Sequence, residues 1–231
     1  HILQQENTDI LHTHGFKADV FGYMATLGSS TKLVSTIHGW SADESRLIQL
    51  YETISRVFLK GFDCVYPLSP ALLQTLRQHG FNPDRLRLVM NSVDLSGIDF
   101  KINERNAAAP YSVLFVGRIC RPKGVVDLVN AFSLARLPAS SHLHIIGDGE
   151  GAVELETIIG KLGISDKVTL VGASDSVSEY LADSHVLVLP SYAEGIPRVV
   201  MEAFAAGTPV VGTDIPGIRQ LVEDEVTGLL T

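Results

Sequence analysis

The chain has 231 residues, 45% of them apolar, and a formal charge of −8. That content suffices to bury a real core, and the length suits one or two domains, of which two are expected. The acidic excess, with no basic stripe to offset it, argues against a nucleic-acid surface, so an anionic ligand must meet a local basic site.

No run approaches the roughly 18 apolar residues of a membrane helix, and the first residues lack the pattern of a signal peptide. Cys64 and Cys120 lie far apart without metal spacing and read as small apolar side chains of a reduced protein, which favours the cytoplasm. The chain lacks a starting Met, opening on His1-Ile2-Leu3 and stopping at Leu229-Leu230-Thr231, so both ends are expected to be cut.

Short β-branched runs alternate with segments of helical period, the pattern of βαβ units and a parallel sheet. The predicted fold class is therefore doubly wound α/β. In chain order, strands are predicted at Asp9–His12 and Leu33–Ile37, a helix near Asp43–Leu59, a strand at Cys64–Pro67, a helix near Pro70–His79 and a strand at Leu86–Val89. Between Ile98 and Pro110 the sequence turns polar and loses its period, which marks a domain boundary. The expected division is a first domain over 1–100, a linker over 101–110 and a second domain over 111–231. Strands then follow at Ser112–Val116, Leu143–Ile146, Val168–Val171, Val186–Leu189 and Pro209–Val211. Between and after them, helices are predicted near Gly124–Ala135, Ala152–Leu162, Val177–Ala182, Arg198–Ala206 and Gly217–Val222.

Open parallel sheets bind ligands beyond the carboxyl ends of their strands, and those positions are unusually polar and glycine-rich here. Gly117-Arg118 ends a strand, and Pro122-Lys123-Gly124 stands where the next helix begins. Arg offers a planar fork, Lys a point charge and the helix start free amides, a combination that suits a diphosphate. Glu194 and Glu202 are eight positions apart, the first on a loop and the second inside a helix that begins near Arg198. One carboxylate can accept from sugar hydroxyls, the other from a ribose pair. Pro197 fits the first turn, and the amides around Gly195, Ile196, Arg198 and Val199 would form a second anion site. The plain alternative is a dipole-favoured acid followed by an exposed helical Glu.

Gly147-Asp148-Gly149-Glu150 also follows a strand, but position 152 is Ala where a dinucleotide fingerprint requires Gly, so these glycines read as a tight turn approaching a base or ribose. His12, His14 and Gly15 end the first predicted strand, and His38-Gly39 ends the second. Alternation puts His12 and His14 on one side of the backbone, where they could address one cleft or one metal. The metal reading is the weaker, because no carboxylate or cysteine nearby completes a ligand set. Asn91-Ser92-Val93-Asp94 reads as an Asx-type turn.

With these residues in hand, the chain resembles the retaining glycosyltransferases of family 4. The resemblance rests on His-Thr-His-Gly at 12–15, Thr-Ile-His-Gly at 36–39, Asn-Ser-Val-Asp at 91–94 and Phe-Val-Gly-Arg-Ile-Cys-Arg-Pro-Lys-Gly at 115–124. Ile-Ile-Gly-Asp-Gly-Glu at 145–150, the run from Leu189 to Ala203 and Gly-Thr-Pro-Val-Val at 207–211 complete it. It implies the GT-B architecture of two Rossmann-like domains, the first incomplete, and transfer of a sugar from a UDP- or GDP-sugar to a glycan or lipid-linked acceptor. By the same resemblance Arg118 and Lys123 hold the donor diphosphate, Glu194 contacts the sugar, Glu202 binds the ribose, and His12, His14 and His38 serve the acceptor side. No metal or other cofactor is implied. Surface polysaccharide synthesis is implied, at the inner membrane face with peripheral membrane contact. A family member normally begins with a strand and a glycine-rich loop and ends with a segment returning to the first domain; both are absent, so the chain is expected to be a fragment. A nucleotide-sugar epimerase of the same architecture and a non-catalytic nucleotide-sugar binding module are the rival readings.

Overall fold

Residues 2–38, 46–96 and 110–231 are described by a computed structural model. They divide into two units, His1–Asn91 and Ser92–Thr231. The predicted linker over 101–110 and boundary after Ile98 lie outside the described residues up to position 109, as does Gly39.

The first unit runs α1 (Ile2–Gln5), β1 (Ile10–His14), α2 (Phe16–Thr26), β2 (Lys32–Ile37), α3 (Arg46–Leu59), β3 (Cys64–Pro67) and α4 (Pro70–Gln78), then a 3-10 turn at Pro83–Arg85. Its strands form a parallel sheet in the order β1-β2-β3. The two-residue period of β2 buries Leu33, Ser35 and Ile37. Leu33 and Ile37 pack with Leu59, Phe62, Val65, Leu72 and Leu76 in one core. Ser69 caps α4 by accepting from the Leu72 amide at 3.1 Å, and Pro70 takes the first helical position, where no amide is needed.

Two sequence expectations are corrected here. Leu86–Val89 forms no full strand: Leu86 alone bridges Val65, and the amides of Arg87 and Val89 donate to Val65 and Pro67. Leu88 and Val89 stay exposed, so among the described residues nothing apolar covers a further strand. Helix α2 was not expected, because Phe16, Val20, Phe21, Tyr23 and Met24 spread around the helix instead of forming one stripe, and Gly22 interrupts it. The helix predicted from Asp43 is described from Arg46 onward.

The second unit runs β4 (Ser112–Val116), a 3-10 turn at Arg121–Lys123, α5 (Val125–Leu134), β5 (His142–Ile146), α6 (Ala152–Leu162), β6 (Val168–Gly172) and α7 (Val177–Asp183). It continues with β7 (Val186–Leu189), α8 (Arg198–Ala205), β8 (Val210–Gly212), α9 (Pro216–Arg219) and β9 (Gly228–Leu230). The sheet order is β6-β5-β4-β7-β8-β9, parallel throughout. Strands covered on both faces read as near-continuous apolar runs, and Leu114, Phe115, Leu143, Ile145, Leu187 and Leu189 are accordingly buried to within 1%. Each contributes roughly 1.5–3 kcal/mol relative to exposure. Helix α9 is shorter than the predicted Gly217–Val222, and β9 was not foreseen.

Candidate functional site

From β4 the chain proceeds to β5 and β6 on one side, then returns to lay β7 on the other. At such a switch point the connections leave in opposite directions, and a crevice opens beyond the carboxyl ends of the two strands. The loops after β4 and β7 carry Gly117 to Gly124 and Ser191 to Pro197. The predicted diphosphate and sugar residues therefore share one place in the sheet.

Backbone contacts hold these loops. Gly147 and Gly149, after β5, let two loops meet, since a Cβ at either would collide with the carbonyl of Gly117 or Ile119. Ile119 donates its amide to Asp148 at 2.8 Å and receives that of Gly151 at 3.0 Å. The predicted tight turn is thus a loop-to-loop junction, with Arg118 exposed at its edge. Gly124 adopts a left-handed φ of 64°, and a Cβ there would strike the Pro190 carbonyl. That close approach brings the Arg121–Lys123 turn against the loop after β7. Lys123 consequently belongs to a 3-10 turn ahead of α5, not to the helix itself.

The approach has a chemical result. Lys123 Nζ meets Glu194 Oε1 at 2.6 Å, and Ser191 Oγ donates to the same oxygen at 2.7 Å. The Glu194 side chain is 9% exposed and that of Lys123 26%. Charge-assisted bonds in so dry a place are about twice as strong as neutral ones. Tyr192 adds two more ties: its amide donates to Pro122 at 2.9 Å, and its hydroxyl donates to Asp127 Oδ2 at 2.6 Å. The Asp127 carboxylate raises the Tyr192 hydroxyl above its usual pKa by accepting that proton in a hydrogen bond. Thr213 Oγ1 donates to the Ser191 carbonyl at 2.7 Å, fixing the loop from β8.

Ile196 and Pro197 are buried and anchor the start of α8, where Pro197 is the cap residue and not, as expected, within the first turn. The first turn carries no acidic side chain, so its dipole is unopposed there. Val199 is half-buried, whereas Arg198 is exposed and meets Glu202 Oε1 at 3.5 Å. Glu202 also borders a cavity of about 270 Å³ together with Asp94, Asp175, Val177, Ser178 and Leu181. Asp94 opens an Asx turn of its own, accepting from the Ser96 amide at 2.9 Å, one that begins where the predicted 91–94 turn ends. Glu194 and Glu202 thus have different neighbours: the first faces Lys123, the second faces α7. The α7 wall and Asp127 were missed from the sequence, and Ser191 and Tyr192 lie on the strand-end run it pointed to without giving them a role; the polar run after Gly172 was the available signal for the first.

In the first unit, the register His14↔Thr36 brings the ends of β1 and β2 together. His12 Nε2 bonds Thr36 Oγ1 at 2.8 Å, and His14 Nδ1 bonds His38 Nε2 at 3.1 Å. The rings of His12 and His14 stack at 4.5 Å. Burial, then the neighbouring charge of His14, holds His12 below the usual histidine value. Gly15, with φ of 86°, turns the chain into α2. Among the described residues, no three His, Cys, Asp or Glu side chains are disposed to share a metal ion.

The family described as glycosyl transferases group 1 matches residues 98–231, and glycosyltransferase family 4 matches residues 1–96. The chain belongs to the group 1 glycosyltransferases. Among relatives, N-acetyl-alpha-D-glucosaminyl L-malate synthase of Bacillus anthracis is 27% identical over 99% of this chain and 62% of its own length. The N-acetylgalactosamine-N,N'-diacetylbacillosaminyl-diphospho-undecaprenol 4-alpha-N-acetylgalactosaminyltransferase of Campylobacter jejuni is 32% identical over 77% of this chain and 48% of its own. The chain therefore spans about half to two-thirds of the length of these relatives. Of solved structures, Anabaena HepE in complex with UDP and glucose superposes with a TM-score of 0.87 at 23% identity, over 100% of this chain and 66% of that one. Sucrose-phosphate synthase from Thermosynechococcus elongatus gives 0.84 at 25%, over 99% and 62%. The group 1 chain thus has the Rossmann-like α/β units of GT-B glycosyltransferases.

Proposed function

We propose that this group 1 chain is the greater part of a retaining glycosyltransferase that moves a sugar from a UDP- or GDP-sugar to a glycan or lipid-linked acceptor in surface polysaccharide synthesis. The observation that carries the reading is the Lys123–Glu194 pair at the switch point of the second sheet. Negative charge builds on the departing diphosphate as the glycosidic bond breaks. Arg118, Lys123 and the amides at the start of α8 meet it there, the preorganised electrostatic kind of catalysis. Because these groups supply the countercharge, the reading calls for no metal. Glu194, held by Ser191 and Lys123, accepts from the sugar hydroxyls. Glu202 takes the ribose pair, and the cavity it shares with Val177 and Ser178 receives the nucleoside. His12, His14 and His38 supply the acceptor-side contacts.

A lipid-linked acceptor would put the work at the cytoplasmic face of a membrane, by peripheral contact. Among the described residues no helix is long and apolar enough to cross one. The Campylobacter relative is named for a diphospho-undecaprenol-linked substrate, which supports this acceptor class.

Incubating the full-length protein with UDP- and GDP-sugars, with and without lipid-linked acceptors, tests the reading. Acceptor-dependent release of nucleotide, with the product's anomeric configuration retained by NMR, is expected. Epimerisation without transfer would sink the proposal, and binding without turnover would point to a non-catalytic module.

A further inference from the structure

A buried carboxylate in the first unit has no part in the chemistry above. Asp19, in the first turn of α2, is 2% exposed and accepts three hydroxyl hydrogen bonds. Thr13 Oγ1 at 2.6 Å and Ser35 Oγ at 2.8 Å donate to Oδ1, and Ser55 Oγ at 3.2 Å donates to Oδ2. The donors come from β1, β2 and α3, so one side chain ties four elements together. Helix α2 presses closely on this point, because a Cβ at Gly22 would stand 2.7 Å from Thr13 Cγ2.

The donors sit at telling positions. Thr13 lies between His12 and His14, its side chain pointing to the opposite face of β1. Ser35 precedes Thr36, whose hydroxyl holds His12, and His38 follows two residues later. A cavity of about 100 Å³ is lined by Gly15, Asp19, Thr36, His38, Glu52 and Ser55. The three partners of Asp19 are neutral hydroxyls on three different elements, so the carboxylate acts as a shared acceptor between them. Its bonds fix the backbone that aims the three rings.

We propose that Asp19 is a positioning residue that sets the orientation of the His12, His14 and His38 rings through Thr13 and Ser35. The consequence for turnover rests on the acceptor-side reading of those histidines, whereas the orientation itself does not. Asp19→Ala removes the acceptor for all three hydroxyls. Asp19→Asn keeps one oxygen for Thr13 and Ser35, and Thr13→Val removes one hydroxyl at nearly constant shape. In the full-length protein, Asp19→Ala is expected to shift the histidine ring NMR signals of His12, His14 and His38 while those of His142, His144 and His185 stay in place. It should also lower kcat tenfold or more with the donor KM within twofold. Thr13→Val should do the same to a smaller degree, and Asp19→Asn should recover most of the rate. Ring signals at their wild-type positions in a folded variant overturn the proposal, and if Asp19→Ala does not fold, Thr13→Val decides. Moved rings with kcat unchanged leave the positioning role standing and overturn the acceptor-side reading of the histidines. If the rings move and the wild-type protein transfers no sugar from any donor, the positioning role stands and the acceptor-side reading falls.

Discussion

At Glu202 one carboxylate oxygen holds Arg198 at 3.5 Å while the side chain borders the cavity beside α7. Hydrogen bonds to a charged group are worth about 1.5–3 kcal/mol, so Glu202→Ala should weaken nucleotide binding roughly tenfold to a hundredfold by calorimetric titration. Unchanged affinity would remove Glu202 from the ribose. Arg118 is exposed and unpaired among the described residues, and its partner in the proposal is a diphosphate present only with substrate. Arg118→Ala should therefore lower kcat more than it weakens nucleoside affinity; equal losses in both would argue against the assignment. Lys123 differs, because it already neutralises a carboxylate that is nearly out of water. Lys123→Met leaves Glu194, among the described residues, with the Ser191 hydroxyl, and should cost about 1–3 kcal/mol in urea unfolding. Adding Glu194→Gln should return part of that loss, and strict additivity would mean the two side chains act apart.

Among the elements, the junction of the Arg121–Lys123 turn with the loop after β7 depends on Gly124. Gly124→Ala would combine a strained φ with a clash on Pro190, so a lowered melting temperature and weaker donor binding should come together. Strand β5 brings a second consequence. Burial, then the charge of His142, holds His144 below 6.5, as burial and His14 hold His12. Below pH 6.5 the unfolded chain binds protons that the folded chain resists, so stability is expected to fall as the pH drops from that value. A urea midpoint equal at pH 7 and pH 5.5 would contradict this. The strands of the second unit were legible in the sequence because both faces of its sheet are covered, which writes them as apolar runs such as Ser112–Val116 and Val186–Leu189. The sequence singled out Arg118, Lys123 and Glu194 because polar residues near strand ends break those runs, and Glu202 by its spacing from Glu194 on the following helix; their roles remain part of the proposal. Helix α2 was not legible, since its apolar side chains face all directions. Nor was the Lys123–Glu194 pair, which joins residues 71 positions apart and depends on strand order.

Across the whole molecule there are, among the described residues, two buried clusters, one in each unit. Two cores without shared members predict two calorimetric transitions. If the donor residues bind as proposed, UDP at a hundred times its Kd adds about 2.7 kcal/mol to the unit that binds it. It should raise the second unit's transition by several degrees and leave the first where it is. A shift of both would place nucleotide contacts on the first unit as well. The different neighbours of Glu194 and Glu202 matter at this scale too. The carboxylate assigned to the sugar hangs on the β7 loop, and the one assigned to the ribose looks onto α7, which follows a different strand. If both assignments hold, donor choice is modular: exchanging the segment from Gly172 to Ser178 should change the preference between UDP- and GDP-sugars without changing which sugar is transferred. Such a swap offers an evolving genome, or an engineer, two independent dials on one catalyst.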